Sequence, residues 1–111
     1  MMKTAWLFPG QASQKVGMGK DLFENTKIGS EYFDLANEIL NFDIKNIIFN
    51  GPDEELKKTQ FTQPAIYIVS VIIGEILLEK GLVPHAVAGH SLGEYSALTI
   101  AKSLNLNTGL E

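Results

Sequence analysis

Apolar side chains in this chain fall into two short continuous runs and several periodic stretches, and the two patterns predict different elements. The runs KTAWLF (Lys3–Phe8) and HAVAG (His85–Gly89) predict short buried strands of the parallel type. Pro9-Gly10 ends the first, and QASQKVGMG (Gln11–Gly19) reads as a loop of small residues. KDLFEN predicts a helical turn or two. In SEYFDLANEIL (Ser30–Leu40), Ser30 serves as N-cap, Glu31 and Asp34 fall in the first turn, and Phe33, Ala36 and Leu40 form one stripe, which predicts an amphipathic helix. DIKNIIF and DEELKK predict two shorter helices around the breaker Asn50–Pro52. A last helix runs from about Leu92 to Ser103. Strands joined by helices predict the α/β class, with residues 1–111 as no more than one domain.

The segment Ala65–Leu78, AIYIVSVIIGEILL, is the most apolar, and its β-branched residues make a strand a real competitor. Length decides for a helix over Thr62–Lys80, because Gly81 and then Pro84 supply the usual stop signal. The apolar run, broken by Ser70, Gly74 and Glu75, falls short of the about 20 residues that a bilayer needs, so a buried helix is expected rather than a membrane span. With 45% hydrophobic and 20% charged residues the chain builds a packed core. The net charge of −4 and the lack of a Lys/Arg cluster argue against nucleic-acid binding. There is no cysteine, which excludes disulfides and thiolate chemistry and fits a reducing cytoplasm. At the end of the chain, TGLE (Thr108–Glu111) matches a capping box, and two strands are few for a parallel sheet; both features predict a domain that continues.

The candidate chemistry lies where the second strand meets the last helix. Gly89-His90-Ser91-Leu92-Gly93 is a G-x-S-x-G sequence in the expected context, an apolar strand before it and an amphipathic helix after it. Such a turn projects the serine hydroxyl from the sheet edge and sets the Leu92 amide and a helix N-terminus beside it, where negative charge would be stabilised. The other reading is a buried serine in a glycine-rich turn with no chemistry. A nucleophilic serine also needs a proton acceptor at about 2.6–3.2 Å. The chain has two histidines. His85 starts roughly 20 Å upstream along the strand and cannot reach. His90 adjoins Ser91 and leaves the turn in another direction, which fits a structural or substrate-orienting residue better than the base.

GHSLGEYSAL (Gly89–Leu98), FPGQASQ (Phe8–Gln14) and TQPA (Thr62–Ala65) occur together and in order. This combination is similar to the malonyl-CoA:acyl-carrier-protein transacylase family of type II fatty acid synthesis, with the related acyltransferase domains of polyketide synthases. Family members are about two to three times this length. The resemblance therefore implies the N-terminal part of an α/β-hydrolase-like acyltransferase core, parallel strands with covering helices, whose ferredoxin-like subdomain and C-terminal part lie outside residues 1–111. It implies that Ser91 takes the malonyl group from malonyl-CoA and passes it to the phosphopantetheine thiol of acyl carrier protein. Backbone amides of Gln11 and Leu92 would form the oxyanion hole, and Gln63 and His90 would line the substrate site. No cofactor, metal or membrane is implied, and the setting is cytoplasmic.

Two departures bear on this. Ala12 stands where the family usually has glycine, and at a positive φ an alanine costs about 1–2 kcal/mol. The family's catalytic histidine and its carboxylate-pairing arginine lie in segments after residue 111, so the 111 residues alone are expected to be inactive. A serine thioesterase or esterase shares the turn but does not account for FPGQASQ and TQPA. A non-catalytic fragment completed by another chain, and an acyltransferase of a polyketide pathway, are the remaining alternatives.

Overall fold

The computed structural model describes residues 5–10, 14–82, 84, 86–89 and 93–100, without the side chains of Glu94 and Leu98. The elements run β1 (Ala5–Phe8), α1 (Lys20–Asn25), α2 (Lys27–Leu40), α3 (Ile44–Asn50), α4 (Asp53–Leu56), α5 (Thr59–Glu79), β2 (Ala86–Gly89) and α6 (Gly93–Ile100). The strands pair in parallel, with Ala5 opposite Ala86 and Phe8 opposite Gly89. Parallel neighbours require a crossover, and α1 to α5 form it. This is the expected α/β arrangement of parallel strands with covering helices. The capping box at Thr108–Glu111 lies outside the described residues.

β1 is less buried than its apolar sequence predicts. Phe8 is buried and Trp6 half-buried, but Leu7 is 79% exposed. Alternation explains the difference: Phe8 packs with Tyr67, Val71, Ala97 and Ile100, whereas Leu7 points the other way, where no described element covers it.

Two helix starts also differ from expectation. Ser30 is not an N-cap; it lies inside α2, which begins at Lys27. Thr26 caps it instead, its Oγ1 accepting from the Gly29 amide at 2.9 Å while donating to the Leu22 carbonyl at 2.6 Å. One side chain therefore closes α1 and opens α2. Gly29 is buried, and a Cβ there would lie 2.6 Å from the Leu22 carbonyl carbon, so glycine is what lets the two helices meet so closely. α5 begins at Thr59 rather than Thr62 and carries Pro64 inside. The proline gives up the bond to the Gln60 carbonyl. The helix start is held by the Thr62 amide on the Lys58 carbonyl at 2.8 Å and by the Thr62 hydroxyl on the Leu56 carbonyl.

α5 is the central element. One side joins a core with Phe33, Ala36, Ile44, Ile48 and Leu56 through Ala65, Ile68 and Ile72, while Tyr67 and Val71 face the cluster around β1 and α6. At 21 residues it is long and apolar enough to cross a membrane by length and composition, beyond the shorter apolar run read from the sequence. Here 56% of its most apolar window is buried inside the protein.

Candidate active site

The two glycines of the G-x-S-x-G stretch lie where expected, at a strand end and a helix start. β2 ends at Gly89 and α6 begins at Gly93. Because Phe8 is registered opposite Gly89, β1 and β2 end at the same level. Pro9-Gly10 therefore leaves the sheet from the carboxyl ends of parallel strands, where α/β proteins bind their ligands.

Gly93 brings the start of α6 into contact with the end of β1. A Cβ built on it would lie 2.7 Å from the Phe8 carbonyl carbon and 2.9 Å from the Pro9 carbonyl oxygen. Both neighbours are backbone, which cannot swing aside as a side-chain tip can. The glycine thus seats the first residue of α6 on the end of β1. The segment running toward Gln11 starts from the same spot. The N-terminus of α6 carries the partial positive charge of its aligned peptides at that corner.

Of the residues expected to form the site, Gln63 is described: it lies in the second turn of α5, on an exposed face. Ser91, Leu92, His90 and Gln11 lie outside the described residues, as do Ala12 and His85. What the structure brings together is the end of β1, the end of β2 and the start of α6.

α6 is fixed to α5 by groups that sequence reasoning passed over. The Tyr67 hydroxyl lies 2.7 Å from Thr99 Oγ1, and Thr99 Oγ1 donates to the Tyr95 carbonyl at 2.9 Å. Tyr67 and Thr99 are 2% and 5% exposed. Burial pushes the Tyr67 phenol above its ordinary pKa of 10.0, so it stays a neutral donor near pH 7. The signal available in sequence was a single phenol inside the apolar run of α5. Gly74 supplies the second point of attachment: a Cβ there would lie 2.8 Å from Ile100 Cγ1.

Comparison with known proteins places this arrangement. The acyl transferase domain family matches residues 5–111. The malonyl CoA-acyl carrier protein transacylase of Synechocystis is 48% identical over 110 residues, covering 99% of this chain and 37% of that protein. The enzyme of the same name from Bacillus subtilis is 47% identical over 105 residues, covering 95% of this chain and 33% of its own. The chain thus spans about a third of the length of these curated relatives. The crystal structure of the Synechocystis transacylase superposes with a TM-score of 0.93 at 49% identity, over 98% of this chain and 36% of that one. A type II polyketide acyl-carrier protein in complex with its malonyl-transacylase gives 0.93 at 41% identity, over 98% and 36%.

Proposed function

Because this chain belongs to the acyl transferase domain family, we propose that it carries the nucleophile half of a malonyl-CoA:acyl-carrier-protein transacylase of fatty acid synthesis, acting in the cytoplasm. The observation that carries the reading is the shared end of β1 and β2 with Gly93 seated on Phe8 and Pro9. That juxtaposition is what an oxyanion hole drawn from both segments requires.

In this reading the Ser91 hydroxyl attacks the thioester carbonyl of malonyl-CoA and gives its proton to a base. The tetrahedral oxyanion is held by the amides of Gln11 and Leu92. The carbon–sulfur bond then breaks, and coenzyme A leaves as the thiol, taking the proton. The phosphopantetheine thiol of acyl carrier protein attacks the malonyl-serine ester in turn. It forms the new thioester and returns the hydrogen to Ser91. Gln63 and His90 line the substrate side. The base, and the cation that pairs with the malonyl carboxylate, come from the two-thirds of the relatives' length that this chain does not span. No metal or further cofactor takes part. The names of the relatives, and the solved complex with a carrier protein, support the substrate and the partner.

The test is a chimera in which residues 1–111 replace the matching segment of the Synechocystis transacylase. Incubated with radiolabelled malonyl-CoA it should acquire label and pass it to holo acyl carrier protein. Ser91→Ala should lower that transfer by about 1,000-fold or more. Label retained by Ser91→Ala would remove the serine from the reaction. Rapid hydrolysis indifferent to the carrier protein would favour an esterase.

A further inference from the structure

We infer that Tyr67 is a positioning residue for acyl transfer: its hydroxyl, through Thr99, fixes the rotation of the helix that follows Ser91. The inference rests on the proposed role of Ser91 and names a residue which that role does not include.

The hydrogen bonds have a direction. A threonine hydroxyl owns one hydrogen, and that of Thr99 is donated to the Tyr95 carbonyl. The contact between Tyr67 and Thr99 must then run from the phenol to Thr99 Oγ1. The relay starts on α5, crosses to α6 and ends on a backbone carbonyl two residues after Gly93. It is a polar chain inside an otherwise apolar contact made by Phe8, Val71, Ala97 and Ile100. Buried hydroxyls are costly to leave unpaired, and the relay pairs those of Tyr67 and Thr99, whereas Ser96 Oγ, also buried on α6, has no partner among the described residues.

The apolar contacts of Val71 and Ala97 carry no direction of their own, and the relay adds a directional one beside the close contact of Gly74 with Ile100. Gly93 fixes the start of α6 against Phe8 and Pro9, and Thr99 lies six residues further, about 9 Å along the helix at 1.5 Å per residue. Gly93 holds the start of the helix, Gly74 seats Ile100 near its other end, and the relay adds the directional contact that sets its rotation. Rotation decides where the amides of the first turn aim, and Leu92 directly precedes that turn. A misplacement well under 1 Å at a reacting centre is enough to slow chemistry without weakening substrate binding.

Two arms test this. In the chimera, Tyr67→Phe removes only the donor. It should lower kcat for malonyl transfer by about tenfold while the KM for malonyl-CoA stays within about twofold. Thr99→Val should do the same, the double variant should add little, and Thr99→Ser, which keeps the hydroxyl, should restore the rate. In the 111-residue chain, Tyr67→Phe should speed amide exchange over residues 95–99 by roughly five- to tenfold and leave α2 unchanged. An active chimera whose Tyr67→Phe variant keeps its kcat would overturn the inference. So would exchange that accelerates equally in α2 and α6, the mark of a general loss of stability. A chimera that takes no label, or takes it without Ser91, counts against the acyl-transfer reading, and the exchange arm then decides the relay by itself.

Discussion

Gly93 rests on the main chain of Phe8, with room for a hydrogen and none for a methyl group: an added Cβ would sit 2.7 Å from the Phe8 carbonyl carbon. Since the obstacle is the end of a strand paired in register with β2, neither side can retreat without disturbing the sheet. Gly93→Ala should therefore destabilise the chain by about 3 kcal/mol, the upper end for overpacking. It should also remove malonyl labelling from the chimera. Urea unfolding measures the first effect. A loss below about 1 kcal/mol would mean that α6 moves freely over β1.

Gly74 offers the opposite case, because its obstacle is the tip of a side chain. A Cβ would lie 2.5 Å from Ile100 Cδ1 and 2.8 Å from Cγ1. Alanine in mid-helix gains about 1 kcal/mol over glycine, while crowding Ile100 costs about 1–3 kcal/mol. Gly74→Ala alone should come out destabilising by about 1 kcal/mol. Ile100→Val removes Cδ1, and Gly74→Ala introduced into that variant should be neutral or stabilising. Thermal unfolding of the four proteins gives the coupling between the sites. Additive effects would show that α5 and α6 are not in contact at this point.

The same contrast explains what the sequence could disclose. The two strands and the short helices α3 and α4 were legible because each is a local pattern with its own boundary residues. The start of α2 was not, because Ser30 looks like a cap while Gly29 looks like a breaker. Only the packing of α1 shows that Gly29 is a helical residue pressed against Leu22. α5 likewise begins three residues before the expected Thr62, at Thr59. Motif resemblance pointed to Gln63, which is exposed, but not to Tyr67, which is buried against α6. Tyr67 and Thr99 stand 32 positions apart, and periodicity can place a residue on a face without naming its partner.

Thr26 performs two capping functions with one oxygen, so its removal should cost more than an ordinary N-cap. Thr26→Ala frees the Gly29 amide and leaves the Leu22 carbonyl only the Thr26 backbone amide, and should destabilise by about 1.5 kcal/mol. Thr26→Ser keeps the hydroxyl and should lose less than about 0.5 kcal/mol. Denaturant midpoints at constant m-value decide it. Equal losses for the two variants would assign the effect to the lost methyl group instead.

The last prediction concerns alkaline pH. The phenols of Tyr32 and Tyr67 both titrate above the ordinary 10.0. Burial is the main cause for each; Glu75 and Glu31 add to it at Tyr32. At Tyr67, neighbouring Tyr32 adds to it. In the unfolded chain these phenols release their protons near pH 10.0, whereas the folded chain still holds them. Between the two values the native state binds more protons, so stability falls as pH rises through that window and is fully present below it. Urea midpoints measured from about pH 9 to about pH 11 should drop progressively, and Tyr67→Phe should make the drop shallower. If the variant follows the parent's slope throughout, the phenol is not held in its buried, protonated form, and the relay to Thr99 loses its donor.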